Sequence, residues 1–216
     1  MRVLTTLRAV PSFAVGHVRD LRVRWALEEA GMPYEVRLIG PEDQASAAYR
    51  RQQPFGQVPV LQDDGLTLFE SGAILLHLGA RSPALLPIEA GARAEATTWL
   101  FAALNSLESD IGNLAELLFF CAHEDWAIER RPVLEAAALK RLRDLDAWLA
   151  DRDYLAGGFS IADIVMTTVL RLLEETDLVA RFAALHAYHA RCLARPAYRK
   201  ALADQVALYT AEAAPA

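Results

Sequence analysis

An α/β domain followed by an all-helical domain is the fold class this sequence predicts, and three observations carry the prediction. Two short segments, 3–7 (rich in β-branched residues) and 34–38 (alternating), flank a stretch of helical spacing, as a βαβ unit requires. The run Pro54-Phe55-Gly56-Gln57-Val58-Pro59-Val60-Leu61 leads into Asp64-Gly65 and then Phe69-Glu70-Ser71-Gly72. It reads as a loop, a strand entered at a proline, a tight turn, a second strand and a helix start. Beyond Pro87 the pattern is helical throughout and rich in Ala, Leu and Arg.

The elements follow in order. Val3-Leu4-Thr5-Thr6-Leu7 suits a buried strand. Leu21, Trp25 and Leu27 space a helix over 21–30, with Gly31 and Pro33 as stop signals. A second strand spans 34–38 and a helical patch 45–51; the strand pair within 58–68 comes next, and a helix over 70–80 closes the domain. Ser82-Pro83 and Pro87 mark a linker, so the domains are drawn as 1–81 and 88–216. In the second, Trp99, Leu104, Leu107, Ile111, Leu114 and Leu118 recur at three- and four-residue spacing and predict one long helix over 91–121. Pro132 is expected to open a helix running to about Leu149, and Gly157-Gly158 breaks the chain again. Ser160 and Asp163 form a variant capping box ahead of an apolar helix bearing Ile161, Ile164, Val165, Val169 and Leu172, which places that helix centrally. The tail Ala211–Ala216 is expected to fray.

Composition narrows the function classes. The 216 residues can bury a sizeable core, and the net charge of −6 argues against nucleic acid as the main partner. The two cysteines, Cys121 and Cys192, are far apart and make neither a disulfide framework nor a dithiol motif. Arg8 and Pro11 interrupt any signal-peptide run, and no window is long enough to cross a membrane, so the expected location is cytoplasmic. His186, His189 and Cys192 share one helical side, but a fourth ligand is missing, and the expectation is packing with no metal.

The run at 54–72 carries the chemistry. A cis bond before Pro59 would turn the Val58 backbone toward an extended peptide, while Ser71 at a helix start would favour a carboxylate. Together they suit a small peptide acid. This stretch resembles the glutathione-binding half of the cytosolic glutathione transferases, in which Asn-Pro-x-Gly-x-Val-Pro-x-Leu precedes a turn and Glu-Ser. Pro54, Gly56, Val58, Pro59, Leu61, Glu70 and Ser71 all match, and Gln53 replaces the asparagine. The resemblance implies a thioredoxin-like first domain in the order β-α-β-α-β-β-α and a helical-bundle second domain. It also implies that Val58, with Gln57 and the cis Pro59, pairs with the cysteinyl part of glutathione, and that Glu70 and Ser71 hold the γ-glutamyl end. Glutathione would then be a co-substrate conjugated to a small electrophilic, partly apolar acceptor. The family's Ser-x-Ala-Asp element is matched by Ser160-Ile161-Ala162-Asp163, with structural roles for Ser160 and Asp163. A homodimer built on the 70–80 helix and the long helix is implied as well.

The catalytic position is where the sequence departs from that pattern. The family places a Tyr, Ser or Cys just before the first helix, to hydrogen-bond the glutathione sulfur and favour its thiolate. Here His17 to Arg19 fill that position, after a longer loop containing Ser12. Ser12, His17, or backbone N–H groups aided by Arg19 are the alternatives for the donor. Arg19, Arg22 and Arg24 are otherwise expected to be surface charges paired with Asp20, Glu28 or Glu29. Trp99 and Asn105 are candidates for an acceptor pocket, with filling of the helical core as the alternative use of these positions. A non-catalytic binding protein of the same fold is the competing functional class.

Overall fold

The computed structural model describes residues 1–211, so of the tail expected to fray only Ala211 is described, at the end of the last helix. The chain forms two compact units, one made of Met1–Leu85 with the segment from Arg195 onward, the other of Leu86–Ala194. A division drawn along the sequence alone assigns the last helix to the second domain; its contacts count it with the first.

The first unit is built on a four-stranded sheet in the order β2-β1-β3-β4, with β1 Arg2–Leu7, β2 Tyr34–Ile39, β3 Val60–Asp63 and β4 Leu66–Phe69. β1 and β2 are parallel, Arg2 opposite Tyr34 and Leu7 opposite Ile39, so a crossover must join them. Helix α1, Asp20–Glu29, is that crossover. β3 runs antiparallel to β1 with Val60 opposite Thr5, and β4 antiparallel to β3 with Val60 opposite Phe69. The hairpin turns on Asp64 and Gly65, both at positive φ, as an Asp-Gly turn of the primed type requires. Two short helices, α2 Pro41–Ala45 and α3 Ala47–Arg50, lie between β2 and β3, and α4, Ser71–Gly79, follows β4.

Helix α1 is buried on all sides over Asp20–Leu27, because α4 and the last helix both pack against it. This corrects the expectation for its arginines: Arg22 and Arg24 are 3% and 2% exposed, and only Arg19 is a surface residue. Burial demands partners for such charges. Arg24 Nε donates to Asp20 Oδ2 at 2.6 Å, one turn back on the same helix. Burial still holds the Asp20 carboxyl above its usual range, against the pull of Arg24.

In the second unit the run expected as one helix is α5, Ala90–Phe101, and α6, Glu108–Phe120, joined by a wider π-type segment at Ala102–Leu107. The extra residue in that segment shifts the apolar phase, leaving Leu104 half-exposed while Leu107 and Ile111 are buried. Helix α7 spans Asp125–Leu149, so Pro132 lies inside it and does not open it. The proline removes one N–H that would bond to the Ile128 carbonyl, and Ile128 is solvent-facing, where water can satisfy the lost partner. Helix α8, Ile161–Leu170, is central: Ile161, Ile164, Val165, Met166, Val169 and Leu170 have no exposed surface. Its capping box forms, with the Ser160 N–H donating to Asp163 Oδ2 at 2.9 Å and the Ser160 hydroxyl accepting from Ala162 N–H at 3.2 Å. Asp163 also accepts from Leu155 N–H and, at 3.0 Å, from the Tyr188 hydroxyl of α9, Ala183–Leu193. On α9 the buried side bears Leu185, Tyr188 and Cys192; among the described residues no three metal-binding side chains cluster.

Candidate functional site

The sheet register gathers the candidate residues. With Val60 opposite both Thr5 and Phe69, the loop entering β3, the end of β1 and the β4–α4 junction all meet at one end of the sheet. Gln57, Val58 and Pro59 therefore stand beside Glu70 and Ser71. Ser12 and His17 lie on the connection from β1 to α1, Ser12 exposed in a short 3-10 turn and His17 half-buried. Trp99 and Asn105 belong to the second unit. The Trp99 ring packs on Trp148 with centroids 5.0 Å apart, and Asn105 is exposed in the π-type segment, its carbonyl accepting from the Ser109 hydroxyl.

The loop into β3 has a defined shape because side chains hold its carbonyls. Arg50 donates through Nη1 to Pro54 O at 2.9 Å and through Nε to Gln44 O at 3.0 Å. Gln44 donates to Gly56 O at 2.8 Å, and the Tyr49 hydroxyl donates to Gln57 O at 2.6 Å. Gln53, standing where the family has asparagine, is buried and accepts from Phe55 N–H at 2.6 Å. Gly56 has φ +69°, and a Cβ there would lie 2.7 Å from Arg50 Cζ, so only glycine lets the guanidinium cross the loop.

Val58 packs its side chain on the cluster of Ile39, Tyr49 and Val60. The Val58–Pro59 bond is cis. Among the described residues the N–H and C=O of Val58 have no hydrogen-bond partner, because the ladder of β3 begins only at Val60. An unpaired donor and acceptor on one residue at a strand end is what an added peptide strand needs.

Further along the chain Glu70 stands at the N-terminal end of α4 with φ +67° and an exposed side chain. Ser71 follows, 4% exposed, and its Oγ accepts from Arg22 Nη1 at 3.2 Å. Arginine has donors only, so the serine's own hydroxyl hydrogen remains to be directed elsewhere. No side chain caps α4, whose first N–H groups and positive dipole end face the same point. The result is a corner with a hydroxyl donor, helix N–H groups and a buried cation behind them: chemistry for a carboxylate. Arg22 escaped the sequence reading because an arginine on a helix looks like surface charge. The run Asp20-Leu21-Arg22-Val23-Arg24-Trp25, with an acid one turn before Arg24, was the available signal that this helix is buried on every side.

Comparison with known proteins gives a consistent answer. The family described as glutathione S-transferase, N-terminal domain matches residues 13–80, and its C-terminal domain counterpart matches 114–196. Glutathione S-transferase 4 of Zea mays is 36% identical over 199 residues, covering 83% of this chain and 85% of that protein. Disulfide-bond oxidoreductase YfcG of Escherichia coli is 31% identical over 191 residues, covering 82% and 86%. A crystal structure of a glutathione transferase from Pseudomonas putida, with one glutathione disulfide bound per subunit, superposes with a TM-score of 0.81. It is 27% identical, and the match covers 93% of this chain and 90% of that one.

Proposed function

Because the chain belongs to the glutathione S-transferase family, we propose that it binds reduced glutathione and conjugates it to a small electrophilic, partly apolar acceptor. The observation that carries this reading is the pairing of an open Val58 backbone with the Arg22-backed Ser71 at the start of α4. On it, Gln57 and Val58 align the cysteinyl residue, while Ser71 and Glu70 take the α-carboxylate and amine of the γ-glutamyl end. The sulfur then lies toward the β1–α1 connection, where Ser12, His17 or helix N–H groups beside Arg19 supply a hydrogen bond to the thiolate. A free thiol titrates near pH 8.5, so each unit of lowering gives roughly tenfold more thiolate at neutral pH. Positioning of thiolate and acceptor supplies the rest of the rate gain. Contacts to the acceptor from Trp99 and Asn105 are part of the proposal.

Titration calorimetry with reduced glutathione, beside a Ser71→Ala control, tests the site. Saturable heat that the control loses supports it; no heat from the wild type removes it and favours a non-catalytic protein of the same fold. Comparing Ser12→Ala and His17→Ala for turnover of a model electrophile then separates the donors.

A second reading rests on the similarity to a disulfide-bond oxidoreductase. In it one glutathione thiolate attacks a substrate disulfide, releasing one substrate thiolate. A second glutathione thiolate resolves the mixed disulfide to glutathione disulfide and the other substrate thiolate, with no protein cysteine taking part. Reduction of hydroxyethyl disulfide without conjugation of chlorodinitrobenzene would favour this reading over the first.

A further inference from the structure

We propose that Tyr49 is a positioning residue for glutathione, acting through the Gln57–Val58 peptide group to aim the Val58 N–H at the ligand. The inference rests on the glutathione reading of the site and assigns a role that lies outside the motif residues. The starting point is the geometry of one peptide plane. Gln57 O and Val58 N–H belong to the same amide, which is trans, so the two point in opposite directions and turn together. Whatever fixes the carbonyl fixes the N–H.

The carbonyl is held from below. Tyr49 is 3% exposed, its ring is part of the Ile39 and Val60 cluster, and its hydroxyl donates to Gln57 O at 2.6 Å. Burial pushes the phenol up to about 12, so it remains a donor throughout the working pH range. The N–H on the far side of that plane has no partner among the described residues. A donor pulling on the oxygen also polarises the amide and strengthens the N–H as a donor, since hydrogen bonds in a chain reinforce one another. Gln44 and Arg50 hold the Gly56 and Pro54 carbonyls by side chains that are more exposed. Of these three side chains, Tyr49 is the buried one and the one attached to the plane that carries the Val58 N–H. Without that anchor the plane would sample a wider range of tilts, and the ligand would have to order it on binding.

The test is Tyr49→Phe, which keeps the ring in the cluster and removes only the hydroxyl, compared with Tyr188→Phe. Tyr188 is likewise buried, and its hydroxyl is bonded to Asp163 in the other unit, so its loss serves as the control for lowered stability alone. We expect Tyr49→Phe to raise the dissociation constant for reduced glutathione roughly three- to tenfold, the worth of one net hydrogen bond. In turnover the KM for glutathione rises by the same factor while kcat stays within twofold. Amide exchange at Phe55 and Gly56, which bond only within the loop, speeds up in the ligand-free variant. Tyr188→Phe melts earlier yet binds glutathione as the wild type does. Wild-type affinity in Tyr49→Phe overturns the proposal, and so does an equal loss of affinity in both variants. No binding by the wild type overturns the glutathione reading itself, a result that unchanged affinity in Tyr49→Phe against a binding wild type cannot be confused with.

Discussion

At Glu70 the backbone takes φ +67° and ψ 116°, a region that costs a residue with a Cβ about 1–3 kcal/mol. Glycine would relieve this, less the entropy it adds to the unfolded chain. Glu70→Gly is therefore expected to raise stability by about 1 kcal/mol and the melting midpoint by a few degrees while weakening glutathione binding. A variant that melts earlier than the wild type would show that the Glu70 side chain stabilises the fold. Ser71→Ala removes one acceptor of the buried Arg22 guanidinium and the hydroxyl assigned to the ligand carboxylate. Hydrogen bonds to charged groups are worth about 1.5–3 kcal/mol, so the dissociation constant for glutathione should rise roughly tenfold or more. Gly56→Ala fails for a different reason: it meets both a left-handed backbone and the Arg50 guanidinium, so both stability and binding should fall.

The start of α8 shows how one element can be tied by two residues. Ser160→Ala loses a single cap bond and should cost about 1 kcal/mol. Asp163 carries more and is also a titrating group. Burial raises its carboxyl to about 6 from 3.8, ahead of the donors Leu155, Ser160 and Tyr188 that pull it down. Between those values the folded unit holds a proton that the unfolded chain has released. Its stabilising contribution is therefore full below pH 3.8 and is lost as pH rises through 6, by about 3 kcal/mol. His189 on α9 runs the other way. Burial lowers it to about 4 from 6.5, and among the described residues its Nε2 is buried without a partner. Its contribution is full above pH 6.5 and is lost as pH falls through 4, again by about 3 kcal/mol. The two slopes oppose each other, so the wild type should show a nearly flat contribution from this pair between pH 4 and 6. In Asp163→Asn only the histidine slope remains, and urea-derived stability should rise with pH across that window. Parallel pH profiles for variant and wild type would mean that Asp163 is ionised in the fold.

For the whole molecule, the last helix, α10, Pro196–Ala211, decides what counts as the first unit. It packs on α1, with Tyr198 edge-on to Trp25 at 4.8 Å. Arg195, just before it, makes a two-pronged pair with Glu29, and the fully buried Gln205 donates to Asp20 and to Val18 O. Ending the chain at Ala194 would uncover apolar area on the order of a few hundred Å², several kcal/mol, a large part of the total stability of a domain. Such a chain should lose saturable glutathione binding although every motif residue is present; retained affinity would show that α10 is dispensable. We also propose a homodimer through the α4 face and the α5–α6 run, as the family resemblance implies. Sedimentation at micromolar concentration should give twice the chain mass of 23.8 kDa, and a monomeric mass would remove it.

The sequence by itself determined the strands, the Asp64-Gly65 hairpin, the α4 start at Glu70-Ser71 and the capping box at Ser160, because each is written in turn residues, caps or alternation within a dozen positions. It also pointed to the Val58–Pro59 edge, since proline and glycine punctuate the backbone wherever they stand. Only the tertiary structure decided the burial of Arg22 and Arg24, the grasp of Tyr49 on Gln57, the continuity of α7 through Pro132 and the return of α10 to the first unit. Each depends on what packs against a residue from far along the chain. Helical periodicity shows how many faces are apolar, but an arginine whose charge is met by Asp20 or whose guanidinium finds Ser71 is polar in pattern and buried in fact. Partner choice across 49 residues, as between Arg22 and Ser71, is set by the three-dimensional register of the sheet and its helices, which local sequence does not encode.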